Sequence, residues 1–201
     1  MIKTTTKNSN LRVITGHYPI HISMGFLDIV ASPEKMRPFA LDAMVFEEDT
    51  FLVLSADKRV RDPQKPLIHV LTEVIELKPE TPGTVLTKGK GPFRMLAVIH
   101  DLDQEPTWQE EWIKTALKNI FLESEKRKLR SIAIPFIGTV YGNLGRNRFI
   151  ELLWKALNQF APRYLKRLWI IVPKETPRGA FDVFQKKQNR NRESLEKILR
   201  L

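Results

Sequence analysis

Residues 134–146 have the form of a main-chain anion site. They read Ile134-Pro135-Phe136-Ile137-Gly138-Thr139-Val140-Tyr141-Gly142-Asn143-Leu144-Gly145-Arg146, an apolar strand running into a turn with three glycines and then a helix. Glycines let the backbone approach a ligand closely and aim successive N–H groups at one point. The groups concerned are those of Gly138, Thr139, Val140, Tyr141, Gly142 and Asn143. A helix start adds partial positive charge, which favours phosphate, and Arg146 and Arg148 add full charges able to pair with it. The spacing matches neither a P-loop nor a dinucleotide fingerprint. The competing reading is a tight strand-to-helix turn whose glycines serve backbone geometry alone.

Other constellations carry weaker chemistry. His100 and Asp101 follow an apolar strand, where ligand contacts and acid–base groups collect, or where a pair simply caps the strand end. Glu47, Glu48 and Asp49 are three successive carboxylates; they suit a divalent cation, acid–base work or a solvated turn. As anions they repel phosphate unless a cation intervenes, and the solvated turn is the reading adopted. His17 and His21 have helical metal-ligand spacing, but Pro19 lies between them. On a strand that spacing spans about 13 Å, so no metal is expected. Gly89-Lys90-Gly91 lacks the rest of a P-loop, and no serine has a nucleophile-elbow context. No catalytic residue and no cofactor are assigned.

The absence of cysteine excludes disulfide scaffolds, thiol nucleophiles, zinc ribbons and iron–sulfur clusters, and fits a reducing cytoplasm. No apolar run approaches a membrane span, so no membrane partner is expected. The opening MIKTTTKNSN has no apolar core of a secretory signal. The net charge of +10 is uneven: 15 basic and 18 acidic residues up to residue 125, then 18 basic and 5 acidic. Lys186, Lys187, Arg190 and Arg192 could follow a phosphate backbone, which makes nucleic acid a second candidate partner. No aromatic residue interleaves them, so base stacking is not supported.

These residues need elements to position them. Residues 1–10 are expected to be a flexible terminus and 11–201 a single domain. Leu11 to Thr15 reads as a strand, and prolines 19, 33 and 38 predict loop with one short helix over 17–40. Ala43 to Phe46 and Phe51 to Leu54 are short apolar runs, read as consecutive strands or as a strand and a buried segment. Pro66 opens a helix carrying Leu67, Val70, Leu71, Val74 and Leu77 on one face. Met95 to Ile99, Ile132 to Ile137 and Leu168 to Val172 are strands buried on both faces. Thr107 and Glu110 form a capping box for a helix with a Trp108, Trp112, Ile113, Ala116, Leu117, Ile120 and Phe121 stripe, for which core packing is the better reading. Phe149 to Phe160 is a second stripe, and 177–200 a last helix. This alternation predicts an α/β fold with ligands outside the carboxyl ends of the strands, after residues 99, 137 and 172.

Ile137-Gly138-Thr139-Val140-Tyr141-Gly142 resembles the Ile-Gly-Thr-Gly-x-Tyr-Gly loop of the macrodomain family, one glycine short. Gly83-Thr84-Val85-Leu86-Thr87-Lys88-Gly89, Val98-Ile99-His100 and Asp42-Ala43-Met44-Val45 are similar to further strands of that family, over roughly residues 40–199. The resemblance implies a three-layer α/β/α fold with a mixed central sheet. It also implies binding of ADP-ribose, or a related nucleotide, through residues 138–143. His100, Asp101, Arg146, Glu47, Glu48 and Asp49 are possible further contacts. Phe46-Glu47-Glu48-Asp49 stands where the family carries an Asn-Ala-Ala-Asn type segment used by its hydrolytic members, so hydrolysis is not expected. No counterpart of a second glycine-rich loop is found between 50 and 66. Gly16-His17-Tyr18 is the nearest match to the adenine-reading segment, without its Asp. A site-less scaffold acting through protein contacts is the remaining alternative.

Overall fold

The computed structural model describes residues 18–54, 78–160 and 162–173, with 176, 178–182 and 184. The expectations for 1–10, for Leu11 to Thr15, for His17, for the helix of Leu67 to Leu77 and for Lys186, Lys187, Arg190 and Arg192 lie outside these residues.

The described residues form β1 (Ile20–Met24), β2 (Leu27–Ser32), β3 (Ala43–Asp49), β4 (Val85–Lys88), β5 (Phe93–His100), α1 (Glu110–Lys126), β6 (Ser131–Pro135), α2 (Arg146–Phe160) and β7 (Arg167–Ile171). The strands make one mixed sheet in the order β1-β2-β7-β6-β3-β5-β4. β2, β7, β6, β3 and β5 are parallel, and β1 and β4 are antiparallel edges. The expected α/β class and mixed sheet are therefore present.

The apolar strands read as continuous because both faces are covered. On one face Ala43, Val45, Met95, Ala97, Ile99, Ile132, Ile134, Leu168 and Ile170 share a core with α1 and α2. Ile113, Leu117, Ile120 and Phe121 supply the α1 stripe, and Phe149, Ile150, Leu153 and Leu157 the α2 stripe. Trp108 packs against this core partly buried, as the packing reading has it, while Trp112 of the same stripe is partly buried and outside this cluster. On the other face Ala133, Trp169 and Ile171 meet Phe39, Leu41 and Met44. The indole N–H of Trp169 donates to the Ser32 hydroxyl at 2.9 Å, which satisfies its polar tip in the interior. Asp42 ties the starts of β3 and β6 together, its Oδ2 accepting from the N–H groups of Arg130 (2.7 Å) and Ser131 (3.0 Å).

Three local expectations are corrected. Residues 20–32 are a β-hairpin, not loop: Ile20 and Ile22 are buried while His21 and Ser23 are exposed, a period of two that the bracketing prolines masked. The helix within 17–40 is a 3-10 turn at Glu34–Met36. Thr107 does not cap α1, which starts after Gln109 with no side-chain cap bond. Its carbonyl instead accepts from the Asp101 N–H at 2.7 Å, and Glu110 bonds Arg148. Of the two readings of Phe51 to Leu54 the strand is absent: the segment is turn, with Leu52 buried within it, and β3 continues through the acidic residues instead.

Candidate functional site

The parallel strands deliver Ser32, Ile171, Pro135, Asp49 and His100 to one edge of the sheet. A cleft of about 340 Å³ lies there, walled by Pro33, Lys35, Phe136, Val140, Val172 and Glu47. This is the edge where ligands of open α/β sheets bind, and the volume is within the range of small-molecule sites.

The cleft owes its shape to β3. This strand pairs with β6 only through Ala43–Ile132 and Met44–Ala133, yet stays paired with β5 as far as Asp49. Beyond Met44 it parts from β6, and Glu47 joins it to the loop that follows β6. By strand alternation Glu47 faces the same side as Ala43 and Val45. Its Oε1 accepts from the Gly138 N–H at 2.8 Å, and its Oε2 from the His100 Nε2–H at 3.1 Å. The side chains of His100 and Glu47 are 2 % and 9 % exposed, so this is a nearly dry contact that still borders the cleft. The Tyr141 ring stands edge-on to His100 with centroids 6.0 Å apart.

The glycine loop is held from below. Phe136 packs on Phe149 of α2 at 4.9 Å between centroids. The Thr139 N–H and hydroxyl both donate to the Phe136 carbonyl, at 3.3 and 2.7 Å. The Leu144 N–H donates to the Gly138 carbonyl at 3.0 Å. Gly138 has φ +78°, and a Cβ there would stand 2.4 Å from Cδ1 of Ile113. A Cβ on Gly142 would stand 2.9 Å from both the Gly138 carbonyl oxygen and the Trp108 ring. Gly138 and Gly142 are thus required by geometry and close packing, whereas nothing lies within 4 Å of a Cβ on Gly145. The same fold leaves Val140 and Tyr141 on the surface, 64 % and 46 % exposed. The N–H groups of Val140, Gly142 and Asn143 meet no acceptor among the described residues.

The other expected contacts separate. Glu48 and Asp49 are fully buried, which corrects the solvated-turn reading. Glu48 Oε1 accepts from the Asp49 N–H at 3.1 Å. Asp49 accepts from the N–H groups of Phe51 and Leu54, both at 2.8 Å, so it shapes its own loop. Asp101 likewise accepts from the Asp103 N–H and the Gln104 amide. Of the three consecutive carboxylates, Glu47 is the one that borders the cleft. Among the described residues no group of His, Asp and Glu is arranged to hold a metal, and no helix is long and apolar enough to cross a membrane.

The two arginines divide as well. Arg146 opens α2 and has no carboxylate within ion-pair distance among the described residues. It acts on Tyr18, whose phenol is pushed up by burial against the opposing pull of Arg146. Arg148 is not available to a ligand: its guanidinium grips Glu110 with two bonds (2.8 and 2.7 Å) and Glu151 with a third at 2.8 Å. Chiefly the hydrogen bond from Arg148 lowers Glu110 from 4.5 to about 2. Because the folded value lies below the ordinary one, the stabilisation is complete above pH 4.5 and is lost as pH falls through about 2. Both side chains are partly exposed, so Glu110→Gln is expected to cost under about 1 kcal/mol at neutral pH. Denaturant titrations should show the variant and the parent converging near pH 2; an undiminished difference there would contradict the assignment.

The sequence makes the loop legible but not Pro33 and Lys35, because the prolines around β2 hide the alternation that marks it as a strand. It groups Glu47 with its neighbours; the signal separating them is period two from Ala43 through Val45 to Glu47.

No protein-family model and no curated protein matches the chain. Solved structures do. A macrodomain from Oceanobacillus iheyensis with ADP aligns over 89 % of this chain and 100 % of its own, at TM-score 0.64 and 16 % identity. A glycine-to-valine mutant of that macrodomain, with ADPR, aligns over 88 % and 100 % at TM-score 0.63 and 16 % identity. The macrodomain of Thermus aquaticus DarG aligns over 72 % and 98 % at TM-score 0.54 and 16 % identity.

Proposed function

We propose that this chain, a divergent macrodomain by its fold, binds ADP-ribose or a related nucleotide diphosphate at the carboxyl edge of its sheet. The diphosphate lies against the N–H groups of the glycine loop, and Arg146 adds the fixed positive charge beside it. The observation that carries this reading is the loop itself. Tight packing under Gly138 and Gly142 leaves Val140 and Asn143 exposed on the loop, with Val140 at the cleft wall, and the N–H groups of Val140, Gly142 and Asn143 meet no acceptor among the described residues. Neighbours of the same fold solved with ADP and ADPR support the choice of ligand. The exposed loop speaks against a site-less scaffold. The reading includes no hydrolysis, since Phe46 to Asp49 offers no Asn-rich segment and Glu48 and Asp49 face inward.

Calorimetric titration with ADP-ribose is expected to show a Kd of about 1 mM or better. Gly142→Val should weaken it at least about ten-fold, because the new side chain displaces the Gly138 carbonyl and Trp108 and so re-aims the N–H groups. A melting curve establishes that the variant is folded. A folded wild-type protein that binds neither ADP-ribose nor ADP would refute the reading.

A further inference from the structure

We infer that Glu47 sets ligand choice at this cleft by acting as an internal anion within the glycine loop. The inference rests on the reading above. The first N–H of the loop, that of Gly138, is already donated to Glu47 Oε1 at 2.8 Å. A phosphate would otherwise compete for that donor. The carboxylate is held from a second side by His100 at 3.1 Å, and His100 is itself fixed at 2 % exposure beneath the Tyr141 ring. Glu47 therefore cannot swing away without leaving a buried histidine nitrogen and a loop N–H unmatched. Its place on β3, where that strand has parted from β6, makes it part of the cleft wall.

Two consequences follow for a ligand. The diphosphate is confined to the exposed donors further along the loop, at Val140 and Asn143. Next to Gly138 the ligand meets a negative charge of low exposure, where a further phosphate is repelled and little water screens it. A hydroxyl suits the same point, because each carboxylate oxygen keeps capacity to accept a hydrogen bond beside the one it already has. Glu47 thus favours a diphosphate whose far side is a polyhydroxyl ring over one extended by another phosphate. This is discrimination by a repulsive element built into the site.

The test is calorimetric titration of the full chain and of Glu47→Gln and Glu47→Ala with ADP-ribose and with ATP. Glutamine keeps the shape and can still accept from Gly138 while removing the charge; alanine exposes the Gly138 N–H. Wild type should prefer ADP-ribose to ATP, and both variants should shrink that preference at least about ten-fold, chiefly by gaining ATP affinity. Melting curves identify a misfolded variant, and the glutamine form, being isosteric, serves if the alanine form does not fold. ADP-ribose binding with a preference unchanged by either substitution overturns this inference alone. No binding of either nucleotide to folded wild type or variants overturns the nucleotide reading, and this inference with it. In an amide-resolved titration of wild type, Val140 and Asn143 should shift more than Gly138; the reverse order also counts against the inference.

Discussion

Gly138→Val is expected to lower the unfolding free energy by about 2–5 kcal/mol. A left-handed backbone costs an ordinary residue roughly 1–2 kcal/mol, more for a β-branched one. Forcing atoms into a filled core costs about 1–3 kcal/mol more. Both apply at Gly138, with φ +78° and Ile113 Cδ1 2.4 Å from the position of a Cβ. Ile113 belongs to the buried α1 stripe, so relief there disturbs the helix–sheet core. For a chain of this size the melting temperature should fall by about 5–15 °C. Nucleotide binding should be lost along with it, because the Gly138 carbonyl that holds Leu144 and the N–H that holds Glu47 both move. Gly145→Ala is the control: nothing lies within 4 Å of a Cβ there, so its cost should stay within about 1 kcal/mol. Equal melting temperatures for the two variants would contradict the packing described for the loop.

Phe149→Ala should be at least as costly, at about 3–5 kcal/mol. Phe149 is fully buried on α2, and its ring stacks on Phe136, the residue whose carbonyl anchors both the N–H and the hydroxyl of Thr139. The cavity lies directly beneath the glycine loop. The effect should therefore be uneven: amide exchange at Thr139 and Leu144 should quicken by more than exchange in β5. A uniform increase across both would mean that Phe149 supports the whole sheet and not the loop in particular. Because the loop is pre-shaped by this packing, a ligand of the loop should restore part of the lost stability through linkage.

Much of the fold is legible where a pattern is local. The α1 and α2 stripes repeat at three and four residues, and the apolar runs at 95–99, 132–137 and 168–172 mark strands covered on both faces. The hairpin at 20–32 was hidden because its alternation is short and lies between prolines. The Thr107–Glu110 capping box satisfied the sequence pattern and still did not form. A long-range partner, Arg148, offered Glu110 two charge-assisted bonds, which outweigh one bond to a backbone N–H.

The site divides along the same line. Strand, three glycines and helix lie within thirteen residues, so the loop, and the anion chemistry proposed for it, can be read from spacing alone. Which of its donors are spoken for is settled by residues 25 to 91 positions away. Trp108 and Ile113 press on the glycines from α1, and Glu47 arrives from β3 to take the first N–H. The three carboxylates at 47–49 are adjacent and chemically alike in the sequence. Strand alternation and the parting of β3 from β6 give them separate surroundings: one at the cleft, one inward against its neighbour's N–H, one closing a turn. The sequence by itself determined the α/β class and the place of the strand–glycine–helix turn at the carboxyl ends of the strands, because these depend on periodicity and on glycine chemistry. The tertiary structure decided that Arg148 is taken, that Arg146 is free of carboxylates among the described residues, and that Glu47 holds the first N–H of the glycine loop. Those outcomes depend on which side chains meet across the sheet, and contacts of that kind leave no fixed spacing along the chain.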